Sequence, residues 1–170
     1  AILIAYGWIF TLVGFDFFMS LEPHWFSTLA GGYYFIGNLF IGLAFLAFIA
    51  AWGRERLAIL DYVGHQQLHD VGKLLFGFCI LWAYLFWSQY LVIWYADLPE
   101  ETPFLVIRSM TQPWQTLFVI IFFWVFVSVF LGLLPKTLCR IPNYVRALGI
   151  WVVAGQWLSI YLMVVPSLQH

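Results

Sequence analysis

The chain has 170 residues, of which 64% are hydrophobic and only 9% are charged, and its formal net charge is −1. Soluble domains carry roughly 25% charged residues, so this composition excludes an ordinary soluble fold. The near-neutral charge offers no basic surface for nucleic acid. Ten Trp, nine Tyr and eighteen Phe are typical of aromatic packing and aromatic belts in a bilayer. The composition therefore indicates an integral membrane protein whose main surroundings are lipid.

Five apolar stretches are long enough to cross a membrane, which takes about 20 mostly apolar residues in a helix. The sequence therefore predicts an all-α fold, a single polytopic transmembrane helical bundle over residues 1–170 with five spans in this segment. The abrupt apolar start predicts a fragment of a larger subunit. The predicted spans are 1–19, 30–52, 69–96, 114–134 and 145–165.

Basic residues predict the orientation of these spans. Six of the seven flank the second and fourth connections, and only Arg108 lies on the other side. By the positive-inside rule, connections 53–68 and 135–144 are cytoplasmic, whereas 20–29 and 97–113 are periplasmic. The six are Arg54, Arg56, Lys73, Lys136, Arg140 and Arg146.

Small and polar residues at helical spacing predict where the spans pack, because helices in lipid associate through close backbone approach and polar contacts. We read these positions as packing signals rather than as a site. They are Gly7, Thr11 and Gly14 on the first span, Asn38 and Gly42 on the second, and Gly155 and Ser159 on the fifth.

Metal and haem ligation by this segment is not expected. No histidine sits in mid-span, where a buried b-type haem needs its axial ligands, and Cys79 and Cys139 are too far apart in sequence for an iron–sulfur motif. His65 and His69 have the i, i+4 spacing of a zinc pair, but no third ligand accompanies them. The sequence predicts no cofactor bound by this segment.

Asp16 lies within an apolar span, where an ionisable residue is expensive and usually faces the bundle interior or a water cavity. Ser20 follows one helical turn later and can share a hydrogen-bonded path with it. Two interpretations stay open: Asp16 belongs to a proton path, or it bonds a neighbouring helix. Glu22 and His24 fit a solvated turn better than a site.

A second group of polar residues opens the third span. His69 and Lys73 are spaced i, i+4, with Asp70 beside them, and the same helix continues to Tyr84 and Ser88. These five residues, together with Asp16, are the candidates for a proton path. In the alternative interpretation Asp70 is a favourable charge in the first helical turn, and Lys73 is an interfacial anchor.

Three carboxylates cluster after the third span. Asp97 and Glu100 have the D-x-x-E spacing of a helix start, and Pro99 suits an early helical position. Glu100 and Glu101 would then lie near the positive end of the helix dipole. The pattern predicts a short interfacial helix from about Pro99 to Arg108, with no catalytic role for the acids.

Three motifs carry a family resemblance: S-L-E-P-H-W-F-S-T at 20–28, H-D-V-G-K-L-L-F-G-F at 69–78, and S-Q-Y-L-V-I-W-Y-A-D-L-P-E-E-T at 88–102. They resemble the NrfD-like, polysulfide-reductase-type integral membrane subunits. More closely, they are similar to the two large membrane subunits of alternative complex III. The ending G-I-W-V-V-A-G-Q-W-L-S-I-Y-L-M-V-V-P is more similar to the ActF type than to the ActC type.

The resemblance implies a subunit of a respiratory quinol:electron-acceptor oxidoreductase in the bacterial cytoplasmic membrane. Its implied partners are a paralogous NrfD-like subunit, an iron–sulfur protein and a multihaem cytochrome c, which carry the iron–sulfur clusters and haem c. Integral subunits of the family bind quinol or are proposed to conduct protons, and they have more spans than this segment.

We therefore expect this chain to anchor redox partners and to contribute a proton-translocation path, without catalytic residues of its own. One alternative is a purely structural scaffold of the same complex. Another is a transporter, against which the lack of internal proline in the predicted spans counts modestly, since transporters often break helices near mid-membrane.

Overall fold

The computed structural model of the protein describes residues 2–22, 25–56, 64–99 and 101–168, and all regular secondary structure in those ranges is helical. The helices are α1 (Ile2–Val13), α2 (Thr28–Arg56), α3 (His65–Ala96), α4 (Thr102–Met110), α5 (Trp114–Ile121), α6 (Val129–Leu133) and α7 (Pro142–Leu168). A π-helical turn, Gly14–Phe18, and a short 3₁₀ turn, Met19–Leu21, extend α1, and a π-helical segment, Phe122–Ser128, joins α5 to α6.

Five of these helical stretches are long and apolar enough to cross a membrane. The predicted all-α fold with five spans is confirmed, and the span ends lie within four residues of those predicted. The stretches are Ile2–Leu21, Thr28–Arg54, Gln66–Ala96, Trp114–Leu133 and Pro142–Leu168.

The core lies where α2 packs between α3 and α7. Small residues on one stripe of α2, Ala44, Ala47 and Ala51, are fully buried and let the neighbouring helices come close. Trp82 on α3 and Val152 on α7 are fully buried as well and belong to the same hydrophobic core. The first span packs on the outside of this core, because α1 contributes no buried residue to it.

Two close helix contacts depend on glycine. A Cβ on Gly149 would lie 2.7 Å from the carbonyl oxygen of Ala44, so α7 and α2 touch backbone to backbone there. A Cβ on Gly31 would lie 2.7 Å from Cγ2 of Thr11, and Gly14 faces the same contact between α1 and α2. The packing prediction for the first span is therefore confirmed.

Gly42 behaves differently from the other packing positions. A Cβ there would meet nothing within 4 Å, and the residue is exposed. The prediction that Gly42 packs against another helix of this chain is wrong, because the apolar stripe of α2 that faces the core runs through Ala44 and Ala47 instead.

The acidic connection also differs from its prediction. Asp97 does not start the short interfacial helix but ends α3: its backbone is left-handed with φ 47°, and its N–H donates to the carbonyl of Ile93 at 3.1 Å. The short helix exists as α4 and begins at Thr102, whose hydroxyl donates to the carbonyl of Leu98. Glu100 lies outside the described residues.

We expect Gly149→Ala to destabilise the bundle by about 1–3 kcal/mol, because its methyl group would overlap the Ala44 carbonyl and push α7 from α2. Gly42→Ala is the matched control on an open surface and should be neutral or stabilising by up to about 1 kcal/mol through helix propensity. Thermal unfolding of both variants in the same detergent measures the difference. Equal midpoints would mean that the α2–α7 contact is looser than the structure shows.

Candidate functional site

A buried arginine organises the end of the bundle that carries α4. We call this end the outer end and the opposite one the inner end. Arg108 projects from α4 and is only 2% exposed, although it carries a full positive charge. Such burial requires that hydrogen bonds and charge partners replace the lost water.

The guanidinium group finds these partners on three elements. It donates to the carbonyl of Phe104 in its own helix at 2.9 Å, to the carbonyl of Met163 in α7 at 2.8 Å and to the hydroxyl of Ser167 at 2.6 Å. The carboxylate of Glu22, just beyond the first span, lies 3.9 Å away. Arg108 therefore ties α4 to α7 and to the end of the first span.

Aromatic rings complete the arrangement. The guanidinium carbon lies 3.5 Å from the ring centre of Phe104, in cation–π contact. Trp25 stacks on the same ring at 3.8 Å, almost parallel, so the ring lies between the indole and the guanidinium. We call Glu22, Trp25, Phe104, Arg108 and Ser167 the outer clamp.

Burial lowers the pKa of Arg108 from its ordinary value to about 10, and the nearby Glu22 carboxylate opposes this shift. The side chain therefore stays protonated at neutral pH. A cation held this way supplies fixed positive charge at the outer end of the bundle, under a surface that carries Asp97 and Glu101.

Sequence reasoning placed Arg108 in a polar connection and missed its burial. A signal was present: Phe104 and Arg108 are spaced i, i+4, so the arginine continues the apolar face of a short helix. A lone arginine on such a face indicates an internal ion site rather than a solvated loop.

Beside the outer clamp, a cavity of about 150 Å³ lies between the first span, α2, α3 and α7. Its lining includes Phe17 and Ile160, which are exposed, so the cavity opens on the apolar side surface of the bundle. We call it the outer cavity. Its walls are mostly aromatic and aliphatic, as expected of a site for a lipophilic molecule.

Polar groups converge inside the outer cavity. The hydroxyls of Tyr33 and Ser159 share a hydrogen bond of 2.9 Å, and Asn38 donates to the carbonyl of Tyr34. Gln156 is 2% exposed, and its Nε2 has no hydrogen-bond acceptor within the described part of the chain. A donor in this state favours a ligand with an oxygen acceptor. Of these residues, the sequence singles out only Asn38 and Ser159, and it predicts that both serve helix packing.

Three of the predicted proton-path residues meet at the inner end. The carboxylate of Asp70 lies 3.0 Å from the ammonium of Lys73 and 3.8 Å from Nδ1 of His69. Asp70 and Lys73 are largely exposed, whereas the His69 side chain is 14% exposed. A cavity lined by these three residues with Gln66 and Arg140 opens there.

The other predicted residues do not join this cluster. Tyr84 is 63% exposed on the outside of α3, and Ser88, one turn further, is half-buried. Asp16 lies in the π-helical turn of the first span and is exposed, and its backbone carbonyl accepts the hydroxyl of Ser20. A path through all six residues would run along surfaces that this chain alone leaves open, so their role in proton transfer stays a prediction.

Among residues 2–22, 25–56, 64–99 and 101–168, no group of three or more His, Cys, Asp or Glu side chains could hold a metal ion. The two cysteines, Cys79 and Cys139, are buried, and both are free thiols. The side chain of His65, which was considered with His69 for zinc, and all of His24 lie outside the described residues.

The fold and the hydrophobic surface define a multi-pass helical membrane protein. No protein-family model matches the chain, and no curated protein is significantly similar to it.

We expect Arg108→Gln to lower the free energy of unfolding by about 3–5 kcal/mol, because the carbonyl of Met163, the hydroxyl of Ser167 and Glu22 lose a buried cation. Lys136→Gln removes an exposed charge and serves as the control, with an expected change within about 0.5 kcal/mol. Chemical or thermal unfolding in detergent measures both. A small effect of Arg108→Gln would show that the outer clamp contributes little to stability.

Proposed function

We propose that the chain is an NrfD-like membrane subunit of a respiratory quinol:cytochrome c-type oxidoreductase in a bacterial cytoplasmic membrane. It anchors an iron–sulfur protein and a multihaem cytochrome c beside a paralogous membrane subunit. Those partners carry the iron–sulfur clusters and haem c, while this chain supplies the membrane framework. Connections 53–68 and 135–144 face the cytoplasm in this proposal, and 20–29 and 97–113 face the periplasm.

One observation carries the proposal: two of the three motifs that resemble this family converge at the outer clamp. Glu22 and Trp25 come from the first motif, and Gln89 of the third motif lines a small cavity together with Arg108. Residues far apart in the chain thus form one buried set of contacts that joins several helices at one end of the bundle. A cross-linked end of this kind suits a subunit that holds peripheral redox partners in place.

The outer cavity supports quinol as the lipophilic ligand. It opens toward the membrane, and it is lined by aromatic rings and by hydroxyl and amide groups suited to the ring oxygens of a quinol. Nε2 of Gln156, which has no partner among the described residues, supplies a donor for one ring oxygen, and the Tyr33–Ser159 pair supplies hydroxyls in the same cavity. In this proposal the protein residues bind and orient the ring.

A purely structural scaffold is the second candidate, and the position of the proton-path residues favours it. Lys73 pairs with Asp70 at the inner end, and Tyr84 faces outward, so the predicted path residues that the structure describes form no continuous polar line between the two ends. A proton path would require a partner helix against these exposed surfaces.

Quinol binding can be tested with an azido-quinone photoprobe on the purified complex. We expect labelling of the segments that line the outer cavity, and we expect Gln156→Leu to weaken quinone binding about five- to tenfold through loss of one hydrogen bond. Gln115→Leu, which changes an exposed glutamine on α5, is the matched control and should bind as the wild type does. Labelling confined to other subunits would remove quinol binding from this chain.

Proton coupling can be tested in proteoliposomes that contain the whole complex. We expect Asp16→Asn and Lys73→Gln, made separately, to lower the number of protons released per electron while quinol oxidation continues, since each removes one titratable group. Co-purification of haem c and iron–sulfur proteins with each variant shows that assembly is intact. Unchanged coupling in an intact complex would favour the scaffold.

A further inference from the structure

A second, much smaller cavity lies at the outer end between α3, α4, α5 and α7. Its volume is about 20 Å³, and its walls are almost entirely apolar. The exceptions are Gln89 of α3 and Arg108 of α4, with Tyr90 at the edge. The cavity is distinct from the outer cavity, although Met163 lines both.

Three polar atoms beside this small cavity have no hydrogen-bond partner within the described part of the chain. They are Oε1 and Nε2 of Gln89, which is 6% exposed, and Nε of Arg108, which is 2% exposed. Buried polar atoms in folded proteins nearly always have partners, and those without a protein partner usually bind an ordered water. Because Gln89 and Arg108 line the same cavity, one molecule inside it can form hydrogen bonds with both.

We propose that the small cavity holds a single ordered water molecule that links Gln89 to Arg108. One water needs roughly 10–15 Å³ of such space and two or more polar partners, and this cavity provides both. The arginine can only donate, so the water accepts from Nε–H of Arg108, and it bonds the Gln89 amide either as a donor to Oε1 or as an acceptor from Nε2.

The size and charge of the cavity favour water over a cation or a polyatomic anion. A metal cation would face the guanidinium charge of Arg108, and an anion such as phosphate exceeds the volume available. The bound water extends the outer clamp to α3, so that α3, α4 and α7 share one hydrogen-bonded centre, which Glu22 approaches as a charge partner. This inference does not depend on quinol binding or on the identity of the partner subunits.

The sign of a stability change tests the proposal. Gln89→Met keeps the length of the side chain but removes both polar atoms. If the water is present, the variant removes its partner on α3, so the water and its hydrogen bond to Arg108 Nε are weakened or lost, and we expect the unfolding midpoint to fall by about 2–4 °C. If the cavity is dry, removing a buried and unpaired amide leaves the midpoint unchanged or raises it, which would overturn the proposal. Gln66→Met, at an exposed position on the same helix, corrects for helix propensity.

Radiolytic labelling in ¹⁸O water provides a second measurement on the folded complex. Hydroxyl radicals formed from a bound water oxidise adjacent side chains, and Phe104 lines the small cavity while being only 5% exposed. We expect labelled oxygen on Phe104 in the wild type and a several-fold loss of it in Gln89→Met. No label on Phe104 in the wild type, or equal label in both proteins, would contradict a water at this position.

Discussion

The burial of one guanidinium group is the constraint on which the outer half of this protein depends. Arg108 must keep its charge at neutral pH, so every neighbouring element has to present an oxygen or an aromatic face to it. Met163 and Ser167 of α7 and Glu22 beyond the first span do so, and the ring of Phe104, with Trp25 stacked on its other face, lies against the guanidinium. A short interfacial helix with little core of its own is thereby fixed to two membrane spans.

The overall fold could be predicted from the sequence because lipid demands long, uninterrupted apolar helices. Five such segments are visible as apolar stretches in the sequence, and their predicted ends lie close to the observed ones. Packing between helices could be predicted only in part. Gly14 lies at a close contact as expected, whereas Gly42 lies on an open surface, since spacing shows which residues share a helix face but not which face is inward.

The candidate site was harder to predict, and the reason is physical. Charged residues in connections are normally solvated, so the sequence predicts a solvent-facing short helix from about Pro99 to Arg108, begun by the three acids. In the structure Asp97 ends α3, while Arg108 points inward. Gln156 and Gln89 could not be predicted as site residues, because a single amide in an apolar helix matches no sequence motif. Only the contacts between helices show that each lines a cavity.

The two ends of the bundle differ in character, and this difference shapes the proposed role. At the inner end Asp70 is exposed and pairs with Lys73 and His69. At the outer end Arg108, Gln156 and Ser159 are buried, and the last two line a cavity that opens on the side of the bundle. A rigid outer end with an internal cation fits a membrane subunit that holds a lipophilic reductant close to partners on the same side.

Hydrogen–deuterium exchange of the α4 backbone amides tests most directly whether Arg108 organises the outer end. In Arg108→Gln, amides of Thr102–Met110 should exchange at least about tenfold faster than in the wild type. A tenfold increase corresponds to a loss of about 1.4 kcal/mol in the local free energy of opening. Amides in the α2 core around Ala44 should keep their protection. Unchanged exchange in α4 would mean that apolar packing alone fixes the helix, and the central role assigned to the buried arginine would be wrong.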